Sequence, residues 1–282
     1  MLLSSGISVL ANGDIQKTRN PVVIDGKLDE PCWKNAAVVP VHFRYSGKRA
    51  MSEEPRMFAR YAWDERYFYI GYEVFDRNLT TVSRGPKQGP PGNQRMGGEW
   101  GHPTVKVDVV EFFITFGDAR FFWEIHHNAA NEFNDIWCSV LKPSWFAAKS
   151  SLALGDILFA HEEYVKDDGE FTLKTAVQLL PRRDGKPSTV NDPSDEDTGY
   201  SGEIRLPLAG IGVPVRARVF RPGADGKPEA NGWNLSKQKA RILAVYQNGD
   251  LQEHYHHSSS TRPPGNWFHK TVRYFPEYRF VP

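Results

Sequence analysis

One stretch limits the fold more than any other: Asp108 to Trp137, DVVEFFITFGDARFFWEIHHNAANEFNDIW. Runs of Val, Ile, Phe and Trp flank a Gly/Asp break at Gly117 to Arg120, the pattern of two strands joined by a short turn. If the turn holds four residues, Glu111 lies opposite His126 and Phe113 opposite Glu124. Side chains alternate across a strand. Val110, Phe112, Ile114, Trp123 and Ile125 then share one face, and Glu111, Glu124, His126 and Asn128 share the other. A turn one residue shorter or longer would slip the register and mix the two sets. The expectation is a core face and a solvent-open polar face on which function resides.

The rest of the chain repeats this grammar. Residues 1–20 read as a loose lead-in, and PVVIDGKLDEPCWKNAA from Pro21 has a turn at Asp25-Gly26 with Leu28, Trp33 and Ala36 as anchors. PRMFARYAWDERYFYIGYEVFD is a second hairpin turning near Asp64-Glu65-Arg66, whose return strand alternates Phe68, Ile70, Tyr72 and Val74 with Tyr67, Tyr69, Gly71 and Glu73. The Pro- and Gly-rich insertion from Ser83 to Pro103 excludes a regular element and has the length of a functional or irregular loop. FTLKTAVQLLP, GYSGEIRLPLAGIG, the second half of GWNLSKQKARILAVYQNG and the aromatic tail supply further strands. With no convincing amphipathic helix, the fold class is all-β: an antiparallel β-sandwich, jelly-roll-like, with long irregular loops, in a single domain over 21–282.

Composition removes several functions. The net charge is +1 over 282 residues, so no general electrostatic hold on nucleic acid or anionic membrane is expected. No apolar run reaches the length of a membrane helix. The opening MLLSSGISVLANG lacks a basic segment and a clear cleavage site, so it is at best a remnant of a signal peptide. Cys32 and Cys138 stand far apart and outside any CxxC pair, which favours free thiols over a disulfide.

There is no GxGxxG, P-loop, GxSxG or HExxH. His254, His256 and His257 offer imidazoles to a metal, and Asp192, Asp195, Glu196 and Asp197 offer oxygens to calcium. Neither group has a fixed ligand spacing, and solvated loops are the simpler reading. Glu111 and Glu124 fit the paired carboxylates of a glycosidase. They fit sugar binding more simply, because carboxylates, amides and imidazoles hydrogen-bond hydroxyls while Trp stacks on the apolar face of a pyranose.

Several segments in order resemble the family 9 carbohydrate-binding modules: IDGKLDEPCW, YAWDERYFYIGYEVFD, DVVEFFI, WEIHHNAANEFND, GYSGEIRLPL, GWNL and NWFHKTVRYFPEYRF. The resemblance implies a β-sandwich of the kind shared with DOMON-like domains, usually extracellular and often joined to glycan-degrading enzymes, with structural calcium common. It also implies binding of sugar-chain ends between two Trp rings. Glu111 matches the family's sugar-binding glutamate, and Trp267 matches the Trp of the terminal loop. The family's other Trp falls where this chain has Thr104-Val105, leaving Trp100 as the nearest substitute. The family's Arg and Asn fall at Glu124 and His126, and its Gln falls near Ser236. Exchanging a cation for a carboxylate changes which hydroxyl pattern the face can satisfy.

The expected function is noncatalytic binding of an oligosaccharide or polysaccharide in support of glycan degradation or capture. The expected location is extracellular or periplasmic. Trp267 and Trp100 would stack, Glu111, Glu124, His126, Asn128 and Ser236 would take hydroxyls, calcium would be structural, and no organic cofactor is expected. The alternatives are a glycoside-processing enzyme using Glu111 and Glu124, and a haem-binding DOMON-like domain with Met51, Met57 or Met96 as axial candidates. Trp33, Trp123 and Trp137 are expected in the core.

Overall fold

The computed structural model describes residues 13–46, 49–81, 94–95, 108–116, 121–140, 157–161, 173–208, 218–222, 228–249, 255–260 and 275–282. Strand β1, Asp14–Lys17, precedes one helical turn, α1, Pro31–Asn35. There follow β2 (Val39–Ser46), β3 (Arg49–Trp63), β4 (Tyr67–Val74), β5 (Gln94–Arg95), β6 (Val109–Thr115), β7 (Phe121–His127) and β8 (Glu132–Val140). The remainder are β9 (Ile157–His161), β10 (Lys174–Leu179), β11 (Tyr200–Pro207), β12 (Arg218–Pro222), β13 (Pro228–Trp233), β14 (Lys239–Asn248), β15 (Tyr255–Ser258) and β16 (Glu277–Val281).

The main sheet runs β10-β11-β4-β3-β1-β16-β14-β6-β7-β8-β5, with β9 added to β8, and β12 and β13 form a separate ribbon. Strands β3 and β14 are joined twice, through β1 and β16 and again through β15 and β2. The sheet therefore closes on itself around one core, as the expected sandwich requires. Pairing is antiparallel except where β1 meets β16 and β3, and where β5 meets β8.

The period-two patterns land where the sequence puts them. Phe68, Ile70, Tyr72 and Val74 of β4 face the core, as do Val110, Phe112, Ile114, Trp123 and Ile125 of the central hairpin. Trp33 is buried in a satellite cluster with Val22, Ala62 and Tyr69. Side chains this apolar and this enclosed supply the main driving force for the fold.

Two expectations change. The loose lead-in gives way at Asp14, because Ile15 is buried in the core and β1 pairs on both sides. A single apolar residue among polar ones carries no legible period. Within the Ser83 to Pro103 insertion, Gln94 and Arg95 do form a short regular element, pairing with Glu132 and Phe133. Among the described residues no helix is long and apolar enough to cross a membrane.

The IDGKLDEPCW segment is fixed from a distance. Glu203 of β11 accepts the N–H groups of Asp25 (2.9 Å) and Gly26 (2.8 Å) and the indole N–H of Trp33 (2.9 Å). Ser201 Oγ donates to the Gly26 carbonyl at 2.6 Å. Gly26 has φ +86°, and a Cβ there would meet the Val177 carbonyl carbon at 2.5 Å, so only glycine permits this approach. Burial pushes the Glu203 carboxyl up to about 7, against the pull of its three N–H partners.

Candidate functional site

The site is built on the β6–β7 hairpin. Its register pairs Glu111 with His126, Phe113 with Glu124, Phe112 with Ile125 and Ile114 with Trp123, which is the pairing a four-residue connection gives. The connection itself, 117–120, lies outside the described residues. On the other side, Val245 of β14 pairs with Glu111 and Leu243 with Phe113. One row across the sheet therefore reads Val245, Glu111, His126, Asn134, and the next reads Leu243, Phe113, Glu124, Ile136.

This second face is divided rather than uniformly polar. At one end Phe113 and Phe122 pack with Phe275, ring centroids 5.9 to 6.3 Å apart. Next to them, His126 Nε2 sits 3.0 Å from Glu124 Oε1 and 3.8 Å from Glu111 Oε1. Both carboxylates thus approach the same imidazole nitrogen.

The face is not the open platform expected. The His126 side chain has no exposure, and those of Glu111 and Glu124 keep 10% and 7%. What residual side-chain exposure there is belongs to Glu111 and Glu124.

Other predicted residues take different places. Asn128 is fully buried and holds the β7–β8 turn: its Oδ1 accepts the N–H groups of Ala130 and Glu132, and its Nδ2 donates to Glu132 Oε2. It is a turn clamp rather than a ligand contact, and the amide chemistry that suggested sugar binding is what the turn uses. Ser236 lies in the turn before β14, where its N–H donates to Asn234 Oδ1. That end of β14, where Lys239 pairs with Arg279, is roughly 20 Å along the strand from the Glu111 row. The structure does not bring Ser236 to the hairpin site. Trp267, Trp100, His254 and Met96 lie outside the described residues, as do the side chains of Trp137, His256, His257, Met51 and Cys138. Met57 packs in the core, and Cys32 is a free thiol pushed up to about 11 by burial.

The acidic stretch is ordered by protein donors. Asp197 accepts the N–H groups of Leu79 and Thr189, Asp195 accepts from Arg182 and Thr189 Oγ1, Asp192 accepts from Ser194, and Glu196 pairs with Arg77. Among the described residues no three His, Cys, Asp or Glu side chains converge as a metal set.

Three buried groups escaped sequence reasoning. Asp108 has no exposure and accepts the N–H groups of Thr80 and Gly249, both at 2.6 Å. Asp76 accepts from Tyr246 Oη and Asn248 Nδ2, both at 2.7 Å. His127, on the core side of the hairpin, lies 2.7 Å from Tyr72 Oη through Nδ1 and 2.8 Å from Asn131 Oδ1 through Nε2. An amide oxygen only accepts, so Nε2 carries the proton and Nδ1 accepts from Tyr72. Burial pushes His127 down to about 4. The alternation of faces could have flagged His127, since it puts that ring opposite Val110 on the core side.

The comparisons bear on this geometry. Residues 24–119, which include β6 and Glu111, match the family model described as Carbohydrate family 9 binding domain-like. Over that span, about a third of its length, the chain resembles the family 9 carbohydrate-binding modules. The whole chain shares its fold with a "putative carbohydrate-binding protein" from Bacteroides uniformis ATCC 8492, at TM-score 0.58 and 13% identity, over 95% of this chain and 99% of that one. Two structures of a family 9 module from Caldicellulosiruptor kristjanssonii, in complex with glucose and with cellotriose, align at TM-scores of 0.49 and 0.48. Their identities are 14% and 13%, over 95% of this chain and 95% and 93% of theirs. No curated protein matches the chain.

Proposed function

We propose that this protein binds carbohydrate without turning it over, using the second face of the β6–β7 hairpin. The observation that carries this reading is the Glu111, His126, Glu124 cluster, two carboxylates held beside one buried imidazole with the residual side-chain exposure on the two glutamates. Charged acceptors in a nearly closed site hydrogen-bond hydroxyls more strongly than they would in open water. Glu111 and Glu124 take adjacent hydroxyls of one sugar ring. His126 fixes their spacing.

Trp267 stacks on the apolar face of that ring in this reading, with Trp100 opposing it. Support comes from Phe275, which packs on this same face. The ligand is the end of an oligosaccharide or polysaccharide, outside the cytoplasm, in the company of a glycan-degrading enzyme.

Glycan-array screening followed by calorimetry tests this. Glu111→Ala and Trp267→Ala should each weaken the best ligand by about tenfold or more, the loss of one charge-assisted hydrogen bond or one stacking face. Unchanged affinity in the double variant refutes the assignment. Release of reducing ends from any oligosaccharide, lost in Glu111→Gln with binding kept, replaces it with a glycoside hydrolase.

A further inference from the structure

A cleft of about 440 Å³ opens where β4 ends and the connection between β10 and β11 folds beside it. None of its lining residues belongs to β6 or β7. Phe75 stands in its wall with 39% of its surface exposed, braced edge-on by Phe58 at 6.1 Å. The Phe75 N–H donates to the Arg56 carbonyl at 2.8 Å, which makes Arg56 its cross-strand neighbour.

The charges in the lining are unevenly committed. Asp184 and Asp195 share the Arg182 guanidinium, Glu196 pairs with Arg77, and the buried Asp76 and Asp197 accept from protein donors. Each of these carboxylates thus has at least one protein donor, while Asp195 Oδ1 has none. Arg56 and Arg183 are exposed and form no ion pair among the described residues. The lining carries five carboxylates and four guanidinium groups, and the two cations left without an ion pair are Arg56 and Arg183, beside an open aromatic ring.

That combination selects a ligand. A pyranose presents an apolar face to an aromatic ring, and a carboxylate takes the fork of a guanidinium in two parallel hydrogen bonds. A neutral sugar would leave both cations unused, and a bare anion would leave the ring unused. The volume falls in the range of small-molecule sites. We propose that this cleft binds a hexuronate unit of an acidic glycan, its ring on Phe75 and its carboxylate on Arg56 and Arg183. The cleft is a second sugar site, and it stands or falls independently of the hairpin face.

The test is calorimetry and saturation-transfer NMR on the whole chain with digalacturonate, using neutral galactobiose and inorganic phosphate as controls. Digalacturonate should bind, and Phe75→Ala and the double variant Arg56→Ala/Arg183→Ala should each weaken it by about tenfold. Glu111→Ala should leave it unchanged. All the altered residues in the cleft are exposed, and circular dichroism checks that the variants remain folded. The proposal is overturned if folded wild-type protein ignores digalacturonate, if Phe75→Ala binds it as well as wild type, or if galactobiose binds equally. Phosphate binding as tightly as digalacturonate reduces the cleft to a general anion site and also overturns it. Loss in Glu111→Ala with retention in Phe75→Ala moves the ligand to the hairpin face.

Discussion

Acidification should unlock the hairpin through His127. The ring is fully buried and held at about 4, well below its ordinary 6.5, because burial penalises the imidazolium. The unfolded chain therefore takes up this proton first. Between pH 6.5 and 4 the unfolded state holds more protons, so stability falls as pH falls through that window and levels off below it. The difference in affinity amounts to about 3 kcal/mol from this one group. Glu203 acts in the opposite sense: its raised value makes the folded state the better proton acceptor between 4.5 and 7, so its contribution grows on acidification. The two partly cancel in a raw stability curve. Urea unfolding of wild type and His127→Gln at a series of pH values separates them, since the difference curve removes every group the two chains share. It should close by about 3 kcal/mol from pH 7 to 4. Imidazole nitrogen NMR should find His127 as the Nε2–H tautomer. A flat difference curve, or a His127 ring titrating near 6.5, refutes the reasoning.

Other outcomes follow from single contacts. Glu203→Ala orphans three N–H groups, two of them buried, and should cost about 3 to 5 kcal/mol, read from urea midpoints. Gly26→Ala places a methyl 2.5 Å from the β10 backbone at positive φ and should cost about 2 kcal/mol or more in thermal unfolding. Chelation by EDTA should leave the acidic loop's contribution intact, the melting temperature moving by about 1 °C or less, because Asp195 and Asp197 accept hydrogen bonds from protein donors.

The strands were legible because burial on one face leaves a period of two. In β4 and in the hairpin the apolar residues fall on alternate positions, and the pairing of Glu111 with His126 follows from the spacing once the turn length is chosen. The clamps were not legible. Asp108 and Glu203 look like any polar residue, and what distinguishes them is a partner on another element, 141 residues away for Asp108 and 178 for Glu203. Asn128 differs, since its partners lie two and four residues on, in the turn it holds. Solvent access to the polar face was equally hidden, since alternation tells which side chains share a face but not whether anything covers it.

Register and site are one problem here, and Asp108 exposes the link. It stands immediately before β6 and accepts the N–H of Gly249, immediately after β14, and that of Thr80. It thus pins the end of the pairing that sets Glu111 opposite Val245. A slip of one residue would bring Val110 or Phe112 to the sugar face and turn Glu111 into the core. Asp108→Ala should cost about 2 to 4 kcal/mol from two orphaned N–H groups. It should also weaken sugar binding at temperatures where circular dichroism still shows a folded chain. Glu203→Ala is the control, comparably destabilising but placed at the IDG corner, and it should leave affinity intact. Hydrogen exchange gives a reading without any ligand: amides of β6 and β14 should exchange faster in Asp108→Ala and those of β10 and β11 should not. Equal affinity losses in the two variants, with exchange raised uniformly, would mean that Asp108 supports the fold at large and does not hold Glu111 in register.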